Sequence, residues 1–360
     1  MTAMTTNDPL STALHSAIKA VAEACRVTRR VQMAAEQTPR ILKGDSSPVT
    51  VADFAAQAVI NHRITGSFPG AFLVGEESAE LLREPGNAVL CTAVVDAVRL
   101  VWEEATVEKV LEAIDRGNHD ATAEQYWTLD PVDGTKGFLR GEQYAVSLAL
   151  INTGEVVLGV LGCPNLSLNH TASFSTPDPQ GLIYFAIRGG GAWVTAANDP
   201  EAVPLRVKPE VARHTKLRVC GSVESAHSDQ GQTAQVIAML GGESSTVRLD
   251  SQCKYAVVAR AQADAYLRLP ARSDYAEKIW DHAAGVLIAS EAGMTVTDAT
   301  GAALQFSRGR ELSANSGIVC ASPVFHARII EAIKSLGNGP MSSRPWEGGH
   351  SEIIEVPLKP

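Results

Sequence analysis

The most informative residues of the sequence are carboxylates in a short acidic segment. Asp130 and Asp133 flank Pro131 in a predicted turn, so both carboxylates can converge on one point. The backbone carbonyl of Val132 can face the same point. Hard oxygen ligands of this kind suit Mg²⁺. The segment therefore indicates a site for a divalent cation.

Further acids stand in similar positions elsewhere in the chain. Glu76 and Glu77 follow a short apolar run that ends at Gly75. Asp281 follows Trp280 at the start of an apolar segment, where an ordinary helix N-cap explains it equally well. Several carboxylates brought together would repel one another unless a multivalent cation neutralised them, as in two-metal phosphatases. The constellation is better evidence for a metal site than any member alone.

Asp53, Gly134 and Thr135 offer the other groups that phosphate-ester hydrolysis needs. The reaction requires a water of lowered pKa, a base or orienting group beside it, and electrophiles on the phosphoryl oxygens. Asp53 could accept a proton through the hydroxyl of Thr135. The backbone N–H groups of Gly134 and Thr135 could hold the phosphate. A purely turn-forming role explains Thr135 equally well before this context is considered.

Hydrophobic spacing predicts the elements that position these residues. Residues 50–64 have helical spacing behind an N-cap near Thr50 or Asp53. Residues 72–74 and 127–129 are apolar runs that predict strands ending at acids, and residues 130–138 predict a tight turn that leads to the next strand. Residues 79–125 are mixed in character and are expected to form a peripheral excursion. An alternating α/β pattern follows after residue 217. Further predicted elements are helices at 14–25, 107–114, 232–240, 254–260, 281–291 and 323–336 and strands at 146–151, 156–161, 183–187, 217–220, 246–249, 264–269 and 318–321.

Bulk composition limits the classes of function. A chain of 360 residues with 45% hydrophobic residues is long enough for two domains of roughly 150 residues each. The net charge of -9 argues against a nucleic-acid binder. Six scattered cysteines without a CxxC pair indicate buried thiols, neither a zinc ribbon nor a disulfide framework.

The chain lacks an apolar stretch of about 20 residues, so no membrane span is expected. We predict a cytoplasmic monomer, although Arg26, Arg29 and Arg30 in an acid-poor N-terminal segment leave an organelle transit peptide open. A polar, proline-containing stretch around residues 200–216 places a domain boundary near residue 205. The predicted units are an N-terminal α+β domain at 1–205 with most of the acids, a C-terminal α/β domain at 206–336 with Asp281, and a flexible tail at 337–360.

Three segments resemble the motifs of a known family. Residues 75–78 are Gly-Glu-Glu-Ser, residues 130–135 are Asp-Pro-Val-Asp-Gly-Thr, and residues 280–285 are Trp-Asp-His-Ala-Ala-Gly. Their order and approximate spacing resemble those of the lithium-sensitive, magnesium-dependent phosphatases, which include inositol monophosphatase, inositol polyphosphate 1-phosphatase and the 3′(2′),5′-bisphosphate nucleotidases. The resemblance extends over residues 10–336.

The resemblance implies a fold and a set of functional residues. The fold would be α+β, a layered αβαβα sandwich of the inositol monophosphatase and fructose-1,6-bisphosphatase type, with the site between the domains. Asp53 and Thr135 would activate water, two or three Mg²⁺ ions would bind, and lithium would inhibit. The implied metal ligands are Glu76, Asp130, Asp133, Asp281, the carbonyl of Val132 and, for a weaker metal, Glu77.

Segments outside the metal motifs resemble the bisphosphate nucleotidases in particular. They are residues 133–141, 221–228, 249–255 and 266–270. The resemblance implies a nucleotide pocket for adenosine 3′,5′-bisphosphate and 3′-phosphoadenosine 5′-phosphosulfate, with the 3′-phosphate removed. A second phosphate needs cationic partners, which an acidic protein must supply locally. The implied substrate contacts are His227, Ser251, Lys254 and Arg268, beside Gly134 and Thr135.

Some features leave alternatives open. Ser225 stands where a lysine is common in the subfamily, and Val51 and Ala52 precede Asp53 where small polar residues are frequent, so a shift in substrate preference stays open. Residues 79–125 and the tail match no family motif. One alternative is an inositol polyphosphate 1-phosphatase. The other is a nucleotide sensor without turnover, against which the intact Asp53, Thr135 and metal-binding acids argue.

Overall fold

The computed structural model of the chain describes residues 9–34, 40–42, 48–208, 217–223, 230–240, 244–270 and 276–337. The helices are α1 (Pro9–Met33), α2 (Val51–Ser67), α3 (Glu80–Arg83), α4 (Ala88–Val98), α5 (Val107–Asp115), α6 (Thr135–Leu139), α7 (Gln230–Met239), α8 (Cys253–Ala259), α9 (Ala283–Glu291) and α10 (Pro323–Gly337). The strands are β1 (Arg40–Leu42), β2 (Pro48–Thr50), β3 (Leu73–Gly75), β4 (Gln125–Asp133), β5 (Ala145–Asn152), β6 (Glu155–Cys163), β7 (Leu182–Ile187), β8 (Ala192–Ala196), β9 (Leu205–Arg206), β10 (Leu217–Gly221), β11 (Ser244–Arg248), β12 (Ala265–Arg268), β13 (Thr295–Thr297) and β14 (Ile318–Ala321).

Two sheets form the framework. The larger sheet has seven strands in the order β3-β4-β5-β6-β7-β8-β9, in which β3 is parallel to β4 and the other neighbours are antiparallel. The smaller sheet has the order β11-β10-β12-β14-β13. In it β10 is parallel to β11 and β12, and β14 is antiparallel to both of its neighbours.

Helices cover both sheets and separate them. Helices α1 and α2 pack on one face of the larger sheet, where Val21 and Ile60 join a core with Leu148. Helices α8 and α9 lie between the two sheets, and α7 and α10 cover the outer face of the smaller sheet. The layers follow the order αβαβα, so the predicted fold class is confirmed.

Most of the predicted elements are present. Helix α2 begins as expected: Thr50 is its N-cap, and Thr50 and Asp53 form a capping box. The hairpin β5–β6 turns at Asn152-Thr153-Gly154 as predicted. All six cysteines are buried free thiols, also as predicted. Among the described residues, no helix combines the length and apolar character needed to cross a bilayer.

Three local predictions were wrong. The acidic segment after residue 129 is a bulged continuation of β4 followed by helix α6, because Asp130 still pairs with Ser147 of β5. The helix predicted to start at Asp281 begins at Ala283, after a single 3₁₀ turn. Residues 79–125 are not peripheral, since α4 and α5 bury apolar side chains against α2.

The division of the chain into domains stays a prediction. The strands of the larger sheet end at Arg206, and those of the smaller sheet start at Leu217. Helix α9, from the second half of the chain, nevertheless packs on the larger sheet. The predicted tail lies outside the described residues beyond Gly337.

Two glycine-to-alanine substitutions test the central helical layer. A Cβ atom on Gly285 of α9 would lie 2.2 Å from the Tyr255 ring of α8, whereas Gly66 of α2 has no neighbouring atom within 4 Å of such a Cβ. We expect Gly285→Ala to lower the free energy of unfolding by about 1–3 kcal/mol through overpacking. Gly66→Ala should raise it by roughly 0.5–1 kcal/mol through helix propensity. Chemical denaturation measures both, and shifts in the same direction would contradict this packing.

Candidate active site

The parallel pair β3 and β4 places two acids side by side. Gly75 pairs with Leu129, and the N–H of Glu76 donates to the Leu129 carbonyl at 3.2 Å. The residue after each member of this pair is an acid. Glu76 directly follows β3, and Asp130 is the next residue of β4. Glu76 is half-buried and Asp130 is buried.

A β-bulge between Asp130 and Asp133 interrupts the regular pairing of β4 with β5 within the acidic segment. The N–H of Val132 donates to Oδ1 of Asp130 at 3.1 Å, which fixes that carboxylate against its own backbone. Gly134 has a φ of 87°, a conformation open to glycine, and lets the chain turn from β4 into α6. A Cβ there would lie 3.0 Å from Cβ of Ser251, so this turn packs against the second half of the chain.

Asp53 and Thr135 lie close together in the structure. The Thr135 hydroxyl lies 3.5 Å from Oδ1 of Asp53 and 3.2 Å from the Val132 carbonyl. The other carboxylate oxygen of Asp53 accepts the N–H and hydroxyl of Thr50 at 2.8 and 2.6 Å. Helix α2 thus orients one oxygen of Asp53 toward Thr135.

Asp281 approaches the same carboxylates from the second half of the chain. The carbonyl of the preceding residue, Trp280, accepts hydrogen bonds from Gln252 Nε2 at 2.8 Å and from the Ser147 hydroxyl at 3.3 Å. These bonds anchor the 3₁₀ turn that ends at Asp281 to β5 and to the start of α8.

The acids act on one another electrostatically. Burial raises the pKa of Asp130, and four neighbouring carboxylates raise it further: Glu76, Asp133, Asp281 and Asp53. Burial also raises the pKa of Asp133 and of Asp281, and the charge of Asp133 adds to the rise at Asp281. This donor set consists of mutually repelling carboxylate oxygens that are buried at Asp130 and partly buried at Glu76, Asp133 and Asp281, which fits a hard divalent cation.

One of the predicted cationic contacts, Lys254, lies beside these acids. The Gln252 N–H donates to Asp133 Oδ2 at 2.6 Å and holds residues 250–254 against the acidic turn. Lys254 is buried, and burial lowers its pKa, while Asp133 and Asp250 act in the opposite direction. Ser251 is buried in the same segment and has a φ of 72°. His227 lies outside the described residues.

Arg268 has a partner that the sequence reading missed. Its Nε and Nη2 atoms lie 2.8 and 2.7 Å from the two carboxylate oxygens of Glu277. Burial would raise the pKa of Glu277, but Arg268 and His282 outweigh this effect and bring the pKa to about 2. Glu277, Asp281 and His282 also lie close enough to hold an ion. Because both oxygens of Glu277 face Arg268, we interpret it as the counter-ion of that guanidinium.

Arg310 is a second residue that the sequence reading missed. Its Nη2 donates to the Gly75 carbonyl at 2.6 Å and its Nη1 to the His119 carbonyl at 2.8 Å. The guanidinium also lies 4.8 Å from the centre of the Trp280 ring. Arg310 therefore ties the end of β3, which carries Glu76, to the turn that carries Asp281. Neither Glu277 nor Arg310 stands in a recognised motif, so no local signal marked them.

Several relatives are similar to this chain over most of its length. The 3′(2′),5′-bisphosphate nucleotidase 1 of Candida albicans is 40% identical over 356 residues, covering 92% of this chain and 97% of the relative. The 3′(2′),5′-bisphosphate nucleotidase of Emericella nidulans is 41% identical over 321 residues, covering 82% and 90%. That of Schizosaccharomyces pombe is 39% identical over 334 residues, covering 88% and 93%.

Solved structures share the fold. The extragenic suppressor protein suhB from Bartonella henselae has a TM-score of 0.61 at 21% identity, over 89% of this chain and 98% of that one. CysQ from Bacteroides thetaiotaomicron, a bacterial member of the inositol monophosphatase family, has a TM-score of 0.54 at 22% identity, over 86% and 97%. The model of the inositol monophosphatase family matches residues 6–338. On the strength of that match and of relatives near 40% identity, the chain belongs to the inositol monophosphatase family.

Proposed function

We propose that this protein is a magnesium-dependent phosphatase that removes the 3′-phosphate of adenosine 3′,5′-bisphosphate to give AMP. The same reaction on 3′-phosphoadenosine 5′-phosphosulfate would give adenosine 5′-phosphosulfate. The observation that carries the proposal is the convergence of Asp53 and Thr135 with the buried acids around Asp130. The names of the relatives, 3′(2′),5′-bisphosphate nucleotidase, support the choice of substrate. A monomeric state and a cytoplasmic location stay predictions.

The acids of the site would hold two or three Mg²⁺ ions. Bound Mg²⁺ would supply a water of lowered pKa and would neutralise charge on the phosphoryl oxygens. The fit rests on the donor chemistry, because burial raises the pKa of Asp130 and four neighbouring carboxylates raise it further, and a cation relieves this concentration of negative charge. The proposed ligands are Glu76, Asp130, the carbonyl of Val132, Asp133 and Asp281, with Glu77 for a weaker ion.

The water would be activated through Thr135 and Asp53. The Thr135 hydroxyl faces Asp53 Oδ1 and can pass a proton from the water to that carboxylate. Because Thr50 holds the other oxygen of Asp53, the accepting oxygen keeps its direction. The backbone N–H groups of Gly134 and Thr135 would bind the transferred phosphate.

The second half of the chain would bind the nucleotide. Lys254 acts electrostatically on Asp133, and Arg268 acts on both Asp133 and Asp281, which supports a place for both cations at the border of the proposed metal site. Together with Ser251 and His227 they would recognise the second phosphate and the nucleoside. We propose that Lys254 supplies most of the unneutralised positive charge, because Glu277 offsets that of Arg268.

Phosphate release tests the reaction. We expect release from adenosine 3′,5′-bisphosphate in Mg²⁺, none with EDTA, none from 5′-AMP, and a loss of at least about 100-fold in Asp133→Asn, because a metal ligand is neutralised. Asp96→Asn, an exposed acid on α4, is the matched control and should keep full activity. Preference for inositol 1,4-bisphosphate would assign the protein to the inositol phosphatases. Nucleotide binding without release would favour a sensor.

The pH dependence of magnesium stabilisation tests the metal site. In the folded protein the pKa values of Asp130, Asp133 and Asp281 lie above their ordinary range, so folding favours the protonated carboxyls. Without metal, the folded state therefore becomes less stable as the pH rises and these groups lose their protons. Mg²⁺ needs the deprotonated carboxylates, so the rise in melting temperature that it causes should be larger at pH 8 than at pH 5.5. Thermal melts with and without Mg²⁺ measure this difference. An equal rise at both pH values would contradict the proposed ligand set.

Lys254→Met tests recognition of the second phosphate. The substitution keeps the length of a buried side chain and removes its charge. We expect KM for adenosine 3′,5′-bisphosphate to rise by about 10- to 100-fold, the usual cost of a charge-assisted hydrogen bond. KM for adenosine 3′-monophosphate should change much less. Steady-state kinetics on both substrates measure the contrast, and equal losses on both would remove Lys254 from the second-phosphate pocket.

A further inference from the structure

Helix α2 carries a second polar side chain directed at the site, one turn after Asp53. Gln57 is fully buried, and its Oε1 accepts the N–H of Glu77 at 3.0 Å. Its Nε2 donates to the carbonyl of the same residue and, at 3.0 Å, to the carbonyl of Ile114. The Gln57 amide therefore engages both backbone groups of Glu77, in the way that a neighbouring β-strand residue would.

Two glycines make room for this amide. A Cβ atom on Gly75 would lie 2.5 Å from Gln57 Oε1, and one on Gly117 would lie 2.8 Å from Gln57 Nε2. Any larger residue at either position would displace the amide. Gln57 is thus enclosed by the end of β3 on one side and by the loop after α5 on the other.

We propose that Gln57 is a positioning residue for the acids at the end of β3. Helix α2 holds the carboxylate of Asp53 and, four residues later, the backbone of Glu77. One rigid element therefore sets the spacing between the proposed proton acceptor and the Glu76-Glu77 pair. Gln57 itself would not contact metal or substrate. The inference rests on the function proposed above, because the position of Glu77 matters for activity only if Glu76 and Glu77 bind metal.

Asn61 provides a matched control on the same helix. It lies one turn further along α2, is also fully buried, and its Nδ2 donates to the carbonyl of Ala113 at 2.9 Å. Both amides therefore join α2 to the end of α5. Unlike Gln57, Asn61 directs the hydrogen bonds of its Nδ2 to Ala113 and Ile114 of α5 alone among the described residues.

The experiment compares Gln57→Met with Asn61→Leu in the full-length protein. Calorimetry measures the dissociation constant for Mg²⁺, and thermal melts measure stability. Loss of an outer partner of a metal ligand typically weakens metal binding by about 10- to 100-fold, and we expect that range for Gln57→Met. Phosphate release at saturating Mg²⁺ should be largely restored. Asn61→Leu should lower the melting temperature and leave the Mg²⁺ dissociation constant unchanged.

The outcomes separate this inference from the proposed function. Wild-type Mg²⁺ affinity in Gln57→Met, or an equal loss in both variants, would overturn the positioning role and leave the metal site intact. A wild-type protein that binds no Mg²⁺ would overturn the metal site and the positioning role with it.

A measurement on the wild-type protein covers the case in which Gln57→Met does not fold. Hydrogen exchange of the Glu77 amide reports directly on its bond to Gln57. We expect this amide to exchange slowly both with Mg²⁺ and after its removal, because the bond to Gln57 needs no metal. Exchange at the rate of an exposed loop in the metal-free protein would overturn the inference.

Discussion

Repulsion among buried carboxylates is the constraint on which the rest of the structure depends. Burial alone raises the pKa of Asp130, and four further acids close to it add to the cost of its charge. Such a cluster is unfavourable unless cations compensate it, and among the described residues Lys254 and Arg268 act in that direction. The fold must therefore hold the acids rigidly enough to resist their mutual repulsion and still leave them arranged for an ion.

Rigidity comes from hydrogen bonds to the acids or to the backbone next to them. Thr50 holds Asp53 at the start of α2, and Gln252 and Ser147 hold the carbonyl that precedes Asp281. Arg310 joins the end of β3 to the Asp281 turn across the two halves of the chain. Thr50, Gln252 and Ser147 contribute neutral hydrogen-bonding groups. Arg310 contributes a cation that binds backbone carbonyls. Asp53, Asp130 and Asp133 each also accept a hydrogen bond at a carboxylate oxygen, which fixes the side chain as well.

The sequence predicted the parts of the site that are encoded locally. Asp130 and Asp133 lie three residues apart in the sequence. Asp53 lies in the first turn of α2, a helix whose hydrophobic spacing and N-cap can be recognised from the sequence. The anchors were missed because their partners are distant in the chain: Gln57 and Glu77 are 20 positions apart, and Arg310 and Gly75 are 235. The continuation of β4 through the acidic segment was also missed. Asp and Pro are typical of turns, and only pairing with β5 keeps them in a strand.

Arg268 shows why residue type and motif do not define a recognition site. Resemblance assigned it to the nucleotide, but two of its nitrogen atoms face Glu277. Because the Glu277 pKa is about 2, that carboxylate stays ionised and offsets the guanidinium charge at any physiological pH. The ion pair fixes the plane of the guanidinium, so Arg268 would present a directed donor to the substrate with little net charge. A lysine at this position could not keep two parallel bonds to Glu277 and still face the pocket. The selectivity of the site for a second phosphate would therefore depend on the position and orientation of the Arg268–Glu277 ion pair, and not on the number of positive residues.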